Sequence, residues 1–292
     1  MNRINYDSPS DIRALLNSLG FNTLKRWGQN FLINLGAREK ILAALELQPG
    51  ETVWEIGPGL GAMTYMLLER GHPVVAFEID PGYVKYLEDT FCPHYPLRLV
   101  YGDVVKTWKD EFQKLSAPVK VLGNLPYNAA SAIIGDFVEN GFRPPLFSIT
   151  VQKEMAGRMT SNLGNKNYSS FSVLCQSAFD MITKGDLKPG SFFPPPEVTS
   201  TVLQLRAHQK YRVEDARFFS QLARQLFSSR RKTLRNNVGI TASTLHVSEV
   251  FLKQVMEEVG VDLSARAETL AVEVYYKIYL GLKGALNPVE SP

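Results

Sequence analysis

Residues Val53-Trp-Glu-Ile-Gly-Pro-Gly-Leu-Gly-Ala-Met-Thr64 run from a short apolar stretch, through three alternating glycines, into residues of helical character. This strand, glycine turn and helix constrain the fold more than any other segment. Glycines are needed where the backbone turns sharply and must approach a ligand without a Cβ in the way. The next apolar run ends Phe77-Glu78-Ile79-Asp80, which puts Glu78 twenty-one residues after Gly57. A carboxylate at the tip of a neighbouring strand can accept hydrogen bonds from both ribose hydroxyls of an adenosine. A third run leads into Gly102-Asp103, where Asp103 can accept from an adenine amine. Gly57, Gly59 and Ala62 also fit the dinucleotide pattern G-x-G-x-x-A, so these residues alone leave a nicotinamide cofactor open.

The flanking pattern repeats the unit. Thr52–Ile56, Val74–Ile79, Leu97–Tyr101, Val119–Leu122 and Leu146–Val151 are too short for helices and are separated by helix-length segments. Strands alternating with helices predict an α/β fold, a parallel sheet covered on both faces. Residues 11–20 and 36–47 have helical spacing. Val198–Leu205 alternates polar and apolar residues, as an antiparallel strand near the sheet edge does. Beyond Arg206, Phe218–Leu226, Val250–Val259 and Ala265–Leu282 read as amphipathic helices with no strand between them. The chain of 292 residues is therefore expected to divide into residues 1–207 and an all-helical part, 208–292.

Two cysteines, Cys92 and Cys175, sit in or beside apolar stretches and form no C-x-x-C pair, which argues against disulfides and a cysteine-based zinc site. The N-terminal residues lack an apolar segment and carry Asp7 and Asp11, and no stretch is long and apolar enough to span a membrane. A cytoplasmic, monomeric protein is the expectation. Net charge is only +3, but Arg206 to Arg235 holds nine Lys and Arg against Glu214 and Asp215. Such a local excess predicts a basic patch.

The fourth apolar run ends Val121-Leu-Gly-Asn124-Leu-Pro-Tyr127-Asn128. With Gly28-Gln-Asn-Phe-Leu32, Glu55-Ile-Gly-Pro-Gly-Leu-Gly61, Gln152-Lys-Glu, Phe192-Phe-Pro-Pro-Pro-Glu-Val198 and Arg230-Arg-Lys-Thr-Leu-Arg235, it resembles the small-subunit ribosomal RNA adenine N6,N6-dimethyltransferases. The six motifs span residues 28–235 in the family's order. The resemblance implies a Rossmann-like class I methyltransferase sheet with a small helical C-terminal domain, and S-adenosylmethionine as cofactor. It implies cofactor contacts at Asn30, Leu32, Gly57, Glu78, Asp103 and Asn124. Glu55 could hold either the loop or the methionine amine. The substrate implied is two adjacent adenines in a hairpin loop of small-subunit rRNA, methylated on a pre-assembled small subunit.

The chemistry suits that loop. Adenine N6 is a poor nucleophile because its lone pair is delocalised into the ring. Two acceptors on the amine hydrogens, the side-chain oxygen of Asn124 and the carbonyl of Leu125, would localise the lone pair. Pro126 stiffens the turn and offers no N–H. Tyr127 offers a ring to an adenine swung out of its stack, and Phe192 resembles the family's second stacking face. No metal is required, since the sulfonium is already electrophilic, and the four histidines are scattered away from these motifs. Arg230, Arg231, Lys232 and Arg235 are the candidate RNA contacts, with Lys25 and Arg26 weaker ones. Two departures from the family pattern stand out: Ala129-Ala-Ser131 follows Asn128 where a β-branched residue is more usual, and Thr199 stands where Asp is common. A large-subunit rRNA methyltransferase and a non-catalytic assembly factor are the alternatives.

Overall fold

The computed structural model describes residues 4–21, 30–115 and 117–286. In chain order the elements are α1 (Pro9–Ser18), β1 (Phe31–Leu32), α2 (Leu35–Ala43), β2 (Val53–Ile56), α3 (Ala62–Glu69), β3 (Val74–Glu78), α4 (Pro81–Phe91), β4 (Leu97–Tyr101), α5 (Val104–Phe112) and β5 (Lys120–Asn124). They continue with α6 (Ala130–Glu139), β6 (Leu146–Gln152), α7 (Lys153–Met159), α8 (Ser170–Ala178), β7 (Phe179–Leu187), β8 (Phe192–Phe193), β9 (Ser200–Ala207), α9 (Ala216–Leu226), α10 (Leu234–Leu245), α11 (Glu249–Glu258) and α12 (Val272–Leu286).

The chain forms two compact units. The first comprises residues 1–133, 144–156 and 181–207; the second comprises 134–143, 157–180 and 208–292. The second unit is thus discontinuous, and the physical reason is its core. Tyr168 and Val173 are buried with Phe219, Leu222, Leu226, Val238, Tyr275 and Leu282, and the Tyr168 hydroxyl donates to the Leu270 carbonyl at 3.1 Å. A linear division at 207/208 leaves residues 134–143 and 157–180 on the other side. Helix α10, not foreseen from the sequence, fills the space between the basic run and α11, its Leu234, Val238, Ala242 and Leu245 all buried.

In the first unit a seven-stranded sheet has the order β4-β3-β2-β5-β6-β9-β7. Strands β4, β3, β2, β5 and β6 pair in parallel, and β9 pairs with β6 antiparallel. The five expected parallel strands are present and β9 is antiparallel as expected. It lies one place in from the edge, which is taken by β7, a strand not foreseen from the sequence. Strand β2 is buried at all four positions, as a strand covered on both faces must be. A two-stranded ribbon pairs β1 with β8, setting Leu32 opposite Phe192. Both lie in the core that also holds Ile41, Leu67 and Val202.

The three loop glycines all have left-handed backbone: Gly57 φ 68°, Gly59 φ 55°, Gly61 φ 82°. Gly61 opens α3 with no room for a side chain, since a Cβ there would meet Leu87 and Phe91 at 2.8 Å. Strain and overpacking act together at this position. Gly61→Ala is expected to destabilise the first unit by roughly 2 kcal/mol or more in urea denaturation; wild-type stability would show that the loop relaxes freely.

Candidate active site

The order β3-β2-β5 places a topological switch between β2 and β5, because the chain leaves β2 towards β3 and β5 towards β6. Open α/β sheets bind ligands in the crevice beyond the carboxyl ends of the strands at such a point. A pocket lies there, lined by the glycine loop, Glu78, Asp103, Asn30, Leu32 and the loop Asn124–Tyr127, all within the first unit. Each cofactor contact implied by the resemblance therefore lines one cavity, as do Asn124, Leu125, Pro126 and Tyr127. Gly28 and Gln29 of the motif, and Lys25 and Arg26, fall outside the described residues.

Glu78 is almost completely buried. One carboxylate oxygen accepts from the backbone N–H of Gly59 at 3.1 Å, and the other from those of Ile79 and Asp80 at 2.9 and 3.0 Å. A carboxylate has about four acceptor positions, so one is left for a ribose hydroxyl and not the two the sequence suggested. Burial pushes its pKa up, against the pull of those three N–H bonds. Asp103 caps α5 through Val105 N–H at 3.0 Å, which engages one of its oxygens and leaves the other for an adenine amine. Gly57 faces open space where a Cβ would stand, and Gly59 lies against the Phe31 ring. A carboxylate at the second strand tip, a glycine cradle and a capped helix start together fit an adenosine.

Glu55 is wholly buried, and one of its oxygens accepts the Thr64 hydroxyl at 2.6 Å. It does not line the pocket. Of the two roles left open by the sequence, the geometry shows the tie between β2 and α3. The other oxygen is buried and has no hydrogen-bond partner among the described residues. Burial is the main reason its pKa rises to about 7, partly offset by the Thr64 bond and reinforced by the charge of Glu78.

Asn124 ends β5, and its Nδ2 donates to the Asn30 carbonyl at 3.0 Å. The amide is thereby oriented, with Oδ1 as its remaining acceptor. The Tyr127 ring is half-buried, and its hydroxyl lies 2.6 Å from Ser200 Oγ. Phe192 differs from its expected role. It is 2% exposed, packed in the core opposite Leu32 and absent from the pocket wall. Alternation along the two-residue strand sends Phe193 the other way, towards Ile12, Leu60 and Tyr83.

Sequence reasoning missed Tyr6 and Arg38. Tyr6 lines the pocket and donates to the Leu60 carbonyl at 2.9 Å. Arg38 is buried and holds the Leu32 carbonyl at 2.8 Å and Asp7 at 2.5 Å. Arg38 stands beside Glu39 and Lys40 in a charged stretch of α2, so nothing in the sequence marked it as the buried one of the three.

The basic run in the second unit is less free than its count suggests. Arg230 donates to Glu268 and to the carbonyls of Lys166 and Tyr168, so it clasps its own fold. Lys210 and Arg224 pair with Asp180 and Glu139, and Arg206, in the first unit, pairs with Glu46. Arg231, Lys232 and Arg235 are exposed and in no ion pair among the described residues. Among the described residues, no group of three or more His, Cys, Asp or Glu side chains could hold a metal ion, and no helix is long and apolar enough to cross a membrane.

A family model described as ribosomal RNA adenine dimethylase matches residues 20–282. The chain is 40% identical over 271 residues to the ribosomal RNA small subunit methyltransferase A of Treponema denticola, covering 92% of each. It is 39% identical over 276 residues to the protein of that name from Borreliella burgdorferi, covering 94% of each. Among solved structures it resembles a dimethyladenosine transferase from Plasmodium falciparum, with TM-score 0.70 and 22% identity over 86% of this chain and 96% of that one. The 23S rRNA methyltransferase ErmE shares the fold, with TM-score 0.63 and 22% identity over 87% of this chain and all of that one.

The raised pKa of Glu55 sets a pH dependence. Its folded value lies above its unfolded value, so its contribution is fully present below about pH 4.5 and is lost as pH rises through about 7. Glu55→Gln cannot titrate. Its stability relative to wild type should improve by roughly 2 kcal/mol between pH 5 and pH 8 in urea denaturation; a constant difference would mean that Glu55 does not titrate in this range. With its pocket at the sheet's switch point and a family match over nearly its whole length, the chain belongs to the ribosomal RNA adenine dimethylase family of S-adenosylmethionine-dependent methyltransferases.

Proposed function

We propose that the protein dimethylates N6 of two adjacent adenines in a hairpin loop of small-subunit rRNA, acting as a cytoplasmic monomer on a pre-assembled subunit. The observation that carries this reading is the Asn124 amide, anchored through Nδ2 on Asn30 so that Oδ1 is left to accept from an adenine amine. The relatives at about 40% identity, which bear the name small subunit methyltransferase A, support the choice of subunit.

When bound, S-adenosylmethionine supplies the methyl group as an electrophilic sulfonium. Gly57, Glu78, Asp103, Asn30 and Leu32 hold it. Asn124 Oδ1 and the Leu125 carbonyl accept hydrogen bonds from the two N6 hydrogens of the unmodified base, which draws the amine towards a tetrahedral shape and localises its lone pair. Pro126 stiffens the loop. Tyr127 supplies the face on which the extruded base stacks, worth roughly 1–3 kcal/mol. Alignment of base and methyl is the main contribution asked of the protein. None of the four histidines lines the pocket. The amine becomes acidic once methylated, so its proton can pass to water.

Incubation with purified, unmodified subunits tests the reading. Small subunits should gain dimethyladenosine, measured by mass spectrometry of the rRNA, and large subunits should not; activity on large subunits alone would reverse the assignment. Tyr127→Ala should slow transfer about tenfold or more, as lost stacking requires, while cofactor affinity stays near wild type.

The helical second unit is proposed to contact the RNA backbone through Arg231, Lys232 and Arg235. Each lost phosphate contact reduces the salt slope of binding by roughly 0.7–0.9. Replacing all three with Gln should lower it by about 2. Arg230→Gln should instead lower the melting temperature, and equal slopes for the triple variant and wild type would remove these residues from the interface.

A further inference from the structure

We propose that Ser200 is a positioning residue for the transfer, holding Tyr127 by its hydroxyl so that the ring stands ready for the target base. This rests on the stacking reading of Tyr127 given above. The register places Ser200 for the task. Asn124 pairs with Thr150, Thr150 with Val202, and Gln152 with Ser200. Paired residues share a face and residues two apart along a strand do too, so Ser200 stands on the face that carries Asn124, two strands away. Its side chain is wholly buried, and its Oγ lies 2.6 Å from the Tyr127 hydroxyl. A loop tyrosine is thereby tied, across 73 residues of sequence, to the antiparallel strand inside the sheet.

The tie has a purpose that packing alone does not supply. Tyr127 is in a turn after β5, only half-buried, with one ring face required by the base. A ring free to swing about χ1 would lose entropy each time a base stacked on it. The hydroxyl bond removes that freedom beforehand, at the far end of the ring from the backbone, where it controls orientation most. Pro126 stiffens the backbone at one end of the side chain, and Ser200 holds the other.

A double-mutant cycle tests the inference with wild-type protein, Tyr127→Phe, Ser200→Ala and the double variant. The substrate is unmodified small subunits, and the cofactor is titrated calorimetrically. Each single variant should lower kcat about 3- to 10-fold, the size of one net hydrogen bond. The double variant should lose no more than either single one, because both remove the same bond. Cofactor affinity should not change. Multiplied losses, or a wild-type kcat in either single variant, would overturn the role of Ser200. If Ser200→Ala fails to fold, Tyr127→Phe alone still decides, since it keeps the ring and Ser200 and removes only the bond; wild-type kcat there overturns the inference. Tyr127→Ala separates the two levels. A large loss in Tyr127→Ala with a wild-type Tyr127→Phe sinks the tether and leaves stacking intact, whereas wild-type transfer by Tyr127→Ala sinks the stacking reading itself.

Discussion

Strands β2 and β5 lie side by side, yet the chain departs from them in opposite directions. That divergence is the constraint on which the rest of the site depends. The crossovers on either side carry their helices away from each other, so the carboxyl ends of the two strands open on a crevice. The glycine loop leaves one strand and Asn124 closes the other. Because both strands are pinned by parallel pairing in register, Ile56 beside Gly123, the two loops emerge at one height. The glycine loop and the Asn124–Tyr127 loop become neighbours on one pocket without any direct bond being needed between them.

Around this crevice the protein places carboxylates where they are hard to ionise. Glu55 and Glu78 are both buried and both pushed upward, Glu55 in part by the charge of Glu78. Glu78 is compensated by backbone N–H groups of three residues, Glu55 by Thr64 alone. The difference matches their surroundings: Glu78 lines the pocket and Glu55 stands behind it, tying the strand to the helix that follows the glycines. The N-terminal segment adds a second support. Tyr6 reaches the loop carbonyl of Leu60, and Asp7 meets the buried Arg38, which in turn holds Leu32.

Much of the site was legible in the sequence because its residues are local to strand ends. Gly57, Glu78, Asp103 and Asn124 each follow or end an apolar run, and parallel strands bring their carboxyl ends together. What could not be read were partners distant in sequence. Phe192 looked like a stacking face from its proline-rich setting, but pairing with Leu32 turns it into the core. Arg230 looked like an RNA contact from its basic neighbours, but Glu268 and two carbonyls claim it. Lys25 and Arg26 lie outside the described residues.

By itself the sequence determined the α/β class, the parallel strands, the glycine turn after β2 and the helical character of the C-terminal part. These follow from periodicity, glycine placement and side-chain chemistry, all of which act over a few residues. Tertiary structure alone decided that residues 157–180 share a core with the C-terminal helices, that Glu78 has one acceptor position left, and that Tyr127 meets Ser200. Hydrogen bonds and burial depend on which side chains arrive within about 3 Å of each other, and a linear chain does not record distances between its remote parts.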